Sequence, residues 1–378
     1  MPRRRERKQA VARLHQMACL DFNGPQLIAP VLRELRRIIA FDSGGYFYPG
    51  PDGELDAYLE NPALQAAMPD YFDPRMLRNE SQVFHRSLQR FGEVVRHEHG
   101  PHLLEQLIKV PYADLRRSDY YNAVLRPSDV SNWMSLVLRT PQGQGIGMLC
   151  LYRHGGARSL GRDEAAALAP LEACLARVLQ PGELNTDDSV VADSGLLIVT
   201  PMGRLLWVSP EAERLMPQAF GWRWCANRWD GQGARLPLAL QLLLQRLQWS
   251  WEGRAGPALP QMDWRGAGGW FTLRATRLME TAGTGEAVAI HVTERVPRVA
   301  RLLAVLQPLA LPRRQHELAY WMARGLSEPQ IAARLGVSAA TVVYHRRVLY
   351  ERLQVQDRQG LLARLQMPST SVGGPSLA

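Results

Sequence analysis

Residues 324–353 read RGLSEPQIAARLGVSAATVVYHRRVLYERL, and this run decides the fold of the C-terminal end. Gly325 suits the left-handed residue that closes a preceding helix, expected from Pro312, a residue tolerated at a helix start, to Arg324. Ser327 is a good N-cap for a second helix carrying Ile331, Ala332 and Leu335. Gly336-Val337-Ser338 then makes a tight turn, in which glycine takes a positive φ and Ser338 caps a third helix. Two short helices joined by a glycine-containing turn of about three residues are the signature of a helix-turn-helix.

The third helix resolves into two faces. Val342, His345, Leu349 and Leu353 are spaced 3, 4 and 4 apart, so they share one side and are expected to pack on the first two helices. Ala340, Val343, Tyr344, Arg347 and Glu351 fall on the other side, a short mixed face that suits entry into the major groove of duplex DNA. Arg346 and Tyr350 flank it, where phosphates are closer than base edges. Residues 301–366 hold ten arginines against the acids Glu317, Glu328, Glu351 and Asp357. The resulting excess of positive charge supplies the sequence-independent part of DNA affinity.

The pattern Leu311, Glu317-Leu318, Ala323-Arg324-Gly325-Leu326-Ser327, Ile331-Ala332, Leu335, Ser338, Thr341-Val342, His345, Leu349, Arg352-Leu353, Val355 and Arg358 resembles the LuxR/GerE-type DNA-binding domain. Pro312 stands where that family usually has threonine, Gln315 and Gln330 where it has glutamate, and Val343 where lysine is frequent. The resemblance implies a four-helix, all-α domain whose last helix, about 358–365, contributes to dimerisation. It also implies a homodimer on two half-sites of a near-palindromic operator, with RNA polymerase as a further partner. The residues it places on double-stranded DNA are Ser338, Thr341, Val343, Tyr344, Arg346, Arg347 and Tyr350. At Val343 it leaves the base that is read open.

Outward from this domain, 311–366, the chain divides further. Residues 10–180 read as an α+β unit. It has a helix over 27–40, strands at 46–48 and 55–59 turning at Asp52-Gly53, a helical region to about 125, strands at 133–138 and 146–152, and a long helix over 162–179. Residues 181–190 (PGELNTDDSV) lack periodicity and read as a linker. A second α+β unit spans 191–294, with strands at 196–199 and 205–208, a helix from Ser209, a helix over 236–247, and strands at 270–276 and 287–292. The first unit resembles a GAF-type domain and the second a PAS-type sensor domain, on element order and on GLLIVTPMGRLLWVSPEAERLM. Residues 295–310 are a connecting helix and linker, and 367–378 have the composition of a disordered tail.

Bulk properties agree. A chain of 378 residues with 46% hydrophobic and 21% charged residues is globular and long enough for two or three domains. A formal charge of +9 favours a polyanionic partner. No apolar run approaches the ~20 residues that span a bilayer, and the basic start (Arg3, Arg4, Arg5, Arg7, Lys8) lacks the apolar core of a signal peptide. The reading is a cytoplasmic protein without a membrane partner. Cys19, Cys150, Cys174 and Cys225 lie far apart, with no paired spacing for zinc or a disulfide framework. His97, Glu98, His99 and His102 are not spaced to place three ligands on one helix face. No metal and no cofactor are expected. There is no G-x-S-x-G, Walker loop or G-x-G-x-x-G, so an enzyme is not expected either.

The front of the chain is expected to sense. A phosphorylated receiver would need an early acidic pair, and the N-terminus is basic. An acyl-homoserine-lactone receptor resembles a shorter chain with one sensor unit. Eight of ten tryptophans lie in the second unit, and large aromatics with a polar tip line apolar ligand pockets as well as cores. Tyr46, Tyr58, Tyr120 and Trp133 in the first unit, and Trp207, Trp222 and Trp224 in the second, are the candidate pocket residues for a small, apolar or aromatic effector. The alternatives are a partner protein docking on residues 10–300, or an enzyme domain joined to the helix-turn-helix.

Overall fold

The computed structural model describes residues 2–18, 23–50, 53–182, 189–226, 236–254, 259–279, 281, 285–306, 309 and 311–366. Asp52, Trp229, most of the expected linker, the end of the connecting segment and the tail at 367–378 lie outside the described residues.

Helices α1 (Pro2–Ala18) and α2 (Ile28–Leu35) precede β1 (Ser43–Pro49) and β2 (Leu55–Leu59). Short helices follow: α3 (Pro62–Ala66), α4 (Met68–Tyr71), α5 (Pro74–Val83) and α6 (Phe91–His97). Next come β3 (Pro101–Leu103), α7 (Leu104–Leu107) and α8 (Tyr112–Leu115). The long hairpin of β4 (Val130–Arg139) and β5 (Gly145–His154) leads into α9 (Arg162–Leu168) and α10 (Glu172–Leu179). Then β6 (Ser189–Val199), β7 (Leu205–Val208), α11 (Pro210–Phe220), α12 (Trp222–Ala226) and α13 (Leu238–Trp251) precede β8 (Gln261–Gly266), β9 (Gly269–Met279) and β10 (Glu286–Pro297). The chain continues with α14 (Arg298–Leu306), α15 (Arg313–Ala323), α16 (Glu328–Leu335), α17 (Ala339–Leu353) and α18 (Arg358–Gln366).

The strands make two antiparallel five-stranded sheets, ordered β2-β1-β5-β4-β3 and β7-β6-β10-β9-β8. Counted within each sheet the order is the same: second, first, fifth, fourth, third. Both sheets belong to one compact unit, and α14 to α18 belong to another. The multidomain reading, α+β followed by all-α, is therefore what the chain forms.

The first sheet is covered on both faces, which is why β4 and β5 are buried along nearly their whole length instead of alternating with solvent. On one face lie Trp133, Ser135 and Val137 of β4, with Met148, Cys150 and Tyr152 of β5 beside them, in the core built with α3 to α8. On the other face lie Gly44, whose added Cβ would strike Leu32 of α2, and Gly147, whose added Cβ would strike the Tyr46 ring. In the second sheet, Phe271, Leu273, Val288 and Ile290 pack with Phe220, Leu240 and Leu243 of the neighbouring helices.

Several elements differ from the reading of the sequence. The single helix expected over 162–179 is broken at Ala169–Leu171 into α9 and α10, with Pro170 inside the break, because proline cannot donate to the helical ladder. The helix expected over 27–40 ends at Leu35. Edge strands β3 and β8 were not expected, and Ser189 and Val190, read as linker, begin β6. Among the described residues no helix is long and apolar enough to cross a membrane.

Candidate nucleic-acid interface and a buried cavity

The C-terminal helices are positioned by caps that the sequence names. Ser327 N–H donates to Gln330 Oε1 at 2.8 Å, closing the start of α16. Gln330 thus supplies the side chain that completes a capping box with Ser327. Gly336 ends α16 with φ 62°, a left-handed conformation that glycine adopts at little cost. Ser338 Oγ accepts from Thr341 N–H at 3.2 Å at the start of α17, and the two hydroxyls lie 2.8 Å apart.

Helix α17 buries Val342, Leu349 and Leu353, while His345 is only half-buried. Ala340, Val343, Tyr344, Arg347 and Glu351 are all exposed, as helical periodicity requires of the opposite side. Val343, Arg346, Arg347 and Tyr350 line one open groove with Met322 and Leu326. Ser338, Thr341 and Tyr344 lie outside that groove, towards the start of the helix.

The two arginines differ. Arg347 pairs with Glu351 one turn on, at 3.0 Å, and its side chain remains 80% exposed. Arg346 is held by Glu328, from the first turn of α16. Arg358 donates to the Met322 carbonyl at 2.6 Å and ties α18 to α15, and the Arg334 guanidinium lies 4.0 Å from the Trp321 ring centre. Glu328 as the partner of Arg346 was missed in the sequence. An acid at the first turn of α16 reads equally well as compensating the helix dipole.

A second feature lies in the first sheet's core. A partly open cavity of about 70 Å³ is lined by residues of β4, β5, α4 and α5 and of a π-helical turn, Tyr121–Leu125. Of the seven aromatic candidates, Tyr120 and Trp133 line it. Tyr46 and Tyr58 are register partners on β1 and β2, and strand parity turns them to the opposite face, where Tyr46 donates to the Ile146 carbonyl at 3.0 Å. Trp224 is packed in the second sheet's core, and Trp207 is 65% exposed. Trp222 stacks on Phe72 with ring centres 4.8 Å apart.

Polar groups in the cavity wall carry distinct electrostatics. Glu80 is buried and accepts from the Tyr71 hydroxyl at 2.9 Å, the Leu88 N–H at 3.4 Å and the Ser87 hydroxyl. Burial pushes its carboxyl up to about 7, against the pull of those donors. Glu98 is also raised by burial, opposed by His102 and Arg86, and Arg86 lies 3.9 Å away. Burial pushes the Cys150 thiol up to about 12, so at neutral pH it is a thiol, not a nucleophilic thiolate. Ser135, 1% exposed and directly across the strand pair from Cys150, makes no hydrogen bond through Oγ. His97 and His102 bond to the Glu93 and Gly100 carbonyls. Among the described residues no three His, Cys, Asp or Glu side chains are grouped to hold a metal.

Residues 309–364 match the family described as GerE, bacterial regulatory proteins of the luxR family. The C-terminal helices are therefore a LuxR-family helix-turn-helix domain. No curated protein matches the chain. Among solved structures, the E. coli DhaR(N)–DhaL complex is similar at 13% identity, covering 77% of this chain and 87% of that one, with a TM-score of 0.20. The sensor region of a sensor histidine kinase is similar at 13% identity, covering 73% and 92%, with a TM-score of 0.19.

Proposed function

We propose that the LuxR-family helix-turn-helix at 309–364 places this chain on duplex DNA as a sequence-specific transcriptional regulator, a one-component activator that works as a homodimer. The observation that carries the reading is the solvent-facing side of α17, where Val343, Tyr344 and Arg347 stand exposed on a helix whose opposite side is locked into the bundle. In this reading Tyr344 and Arg347 reach base edges, and Val343 offers an apolar contact of the kind a thymine methyl accepts. Ser338, Thr341, Arg346 and Tyr350 serve the phosphates. The operator is near-palindromic, and RNA polymerase is the partner once the dimer is bound.

The front of the chain supplies the input in this proposal, with 10–180 as a GAF-like and 191–294 as a PAS-like sensor unit, 295–310 as the connection and 311–366 as the DNA-binding head. A small effector acts by binding one arrangement of the heads better than another. Input from a docked protein is a second reading, favoured by Trp207 and Trp251, 65% and 63% exposed in the second unit.

Selection of binding sites from random duplex DNA with the purified chain tests the proposal. Enrichment of a two-fold symmetric sequence is expected. Equal recovery of all sequences, or no recovery, overturns it.

A further inference from the structure

The cavity in the first sheet has the make-up of a ligand site. Its walls are mostly apolar and aromatic, with Phe84 edge-on to Tyr120 at 5.0 Å and tilted against Trp133 at 5.8 Å. At about 70 Å³ it is several times the ~10–15 Å³ that one water needs. Part of its wall is a π-helical turn, a rare geometry that concentrates at functional sites. In this apolar surround Ser135 presents a hydroxyl that is 1% exposed and unbonded. A buried polar atom left without a partner keeps its desolvation cost uncompensated, so the position calls for a partner that the protein itself does not provide.

Charge narrows the ligand. The wall already holds two buried carboxyls, Glu80 and Glu98, and its one guanidinium, Arg86, faces Glu98. An anion would add a further negative charge with no cation to meet it, and a buried unpaired charge is costly.

We propose that this cavity binds a small, uncharged, single-ring aromatic molecule bearing a hydroxyl or amino group, its ring among Phe84, Tyr120 and Trp133 and its polar group on Ser135 Oγ. The molecule is the effector of the regulator proposed above, and only that consequence rests on the regulator reading. Binding is a property of the cavity itself.

The test is calorimetric titration of the full chain, without DNA, using phenol, aniline, toluene and benzoate. Phenol and aniline are expected to saturate at one site, with toluene weaker and benzoate weakest. Ser135→Ala keeps the cavity and removes the hydroxyl, so it is expected to weaken phenol about tenfold and to leave toluene unchanged. Ser135→Leu fills the space and is expected to abolish both; circular dichroism checks its fold, and if it fails to fold, the phenol-to-toluene ratio in Ser135→Ala decides. No saturable binding by the unaltered chain, an unchanged ratio in Ser135→Ala, or benzoate tighter than phenol overturns the proposal. A chain that takes up phenol but never binds DNA overturns the regulator reading alone. One that selects an operator but binds no probe overturns this proposal alone.

Discussion

Arg346 and Glu328 form an ion pair that fastens the reading helix α17 to the first turn of α16. Arg347, the next residue, makes its pair within its own helix, with Glu351. The first link is part of how the motif is held in shape. The second lies in solvent, where an i,i+4 pair contributes only ~0.3–0.5 kcal/mol and yields readily to a stronger partner.

Arg347→Ala is therefore expected to weaken specific operator binding by ~1–3 kcal/mol, with folding stability altered by no more than about 0.5 kcal/mol. Glu351→Gln is expected to tighten binding to all sequences, most at low salt, by removing a competing charge. Fluorescence anisotropy at two fixed salt concentrations measures both. Unchanged operator affinity in Arg347→Ala contradicts the assignment.

Arg346→Ala and Glu328→Gln are expected to be coupled in folding stability by up to ~1 kcal/mol, as befits a partly exposed pair. Arg346→Ala is further expected to lower the salt dependence of DNA binding by about one charge. A double-mutant cycle by urea denaturation reads the coupling. Strict additivity would show that the pair does not link the helices.

Leu349, fully buried on the inner side of α17, is expected to cost ~2–5 kcal/mol when cut to alanine, enough to unfold the helix-turn-helix and abolish DNA binding together. Ser338→Ala removes the cap that accepts from Thr341 and is expected to cost ~1 kcal/mol. Thermal melting followed by circular dichroism at 222 nm ranks the two, and the reverse order would count against the packing described.

Glu80 gives the first sheet a pH dependence of definite sign. Burial raises its carboxyl in the folded state from 4.5 to about 7, so between those values the folded chain holds a proton that the unfolded chain has lost. Its contribution is complete below about pH 4.5 and falls as pH rises through 7. The melting temperature of Glu80→Gln is therefore expected to decline less over that range than that of the unaltered chain. Parallel melting curves at closely spaced pH values provide the check, and equal slopes would refute it.

The helix-turn-helix was readable in advance because its determinants are local. Ser327, Gly336 and Ser338 act within a turn of their own position, and the 3, 4, 4 spacing from Val342 to Leu353 defines a buried side without reference to the rest of the chain. Strands β4 and β5 were readable for a related reason, as strongly apolar runs beside a turn. Strand β8 was not: QMDWRG does alternate, with Met262 and Trp264 turned to the core, but it sets only two apolar side chains in six residues and ends in glycine, which also suits a loop. Strand β3 is three residues long and begins with proline. The cavity was half legible. Trp133 and Tyr120 belong to it, but Tyr46 and Phe47 look interchangeable in the sequence, and only the pairing of β1 with β5 decides that Phe47 faces the cavity while Tyr46 turns away. Glu80 and Ser135 read as ordinary polar residues until distant elements close over them.

The stack of Trp222 on Phe72 has a thermodynamic consequence. Phe72 also meets the edge of Tyr71 at 5.0 Å, and Tyr71 is part of the cavity wall. Three rings in series thus run from the interior of the first sheet's core to a helix that packs with the second. Removing any one of these rings withdraws packing from its neighbour, an edge-on or stacked pair being worth ~0.5–1.5 kcal/mol beyond its burial. The stability of the first sheet's helical cover is thus tied, through Trp222 on α12, to the helix that also sends Trp224 into the second sheet's core.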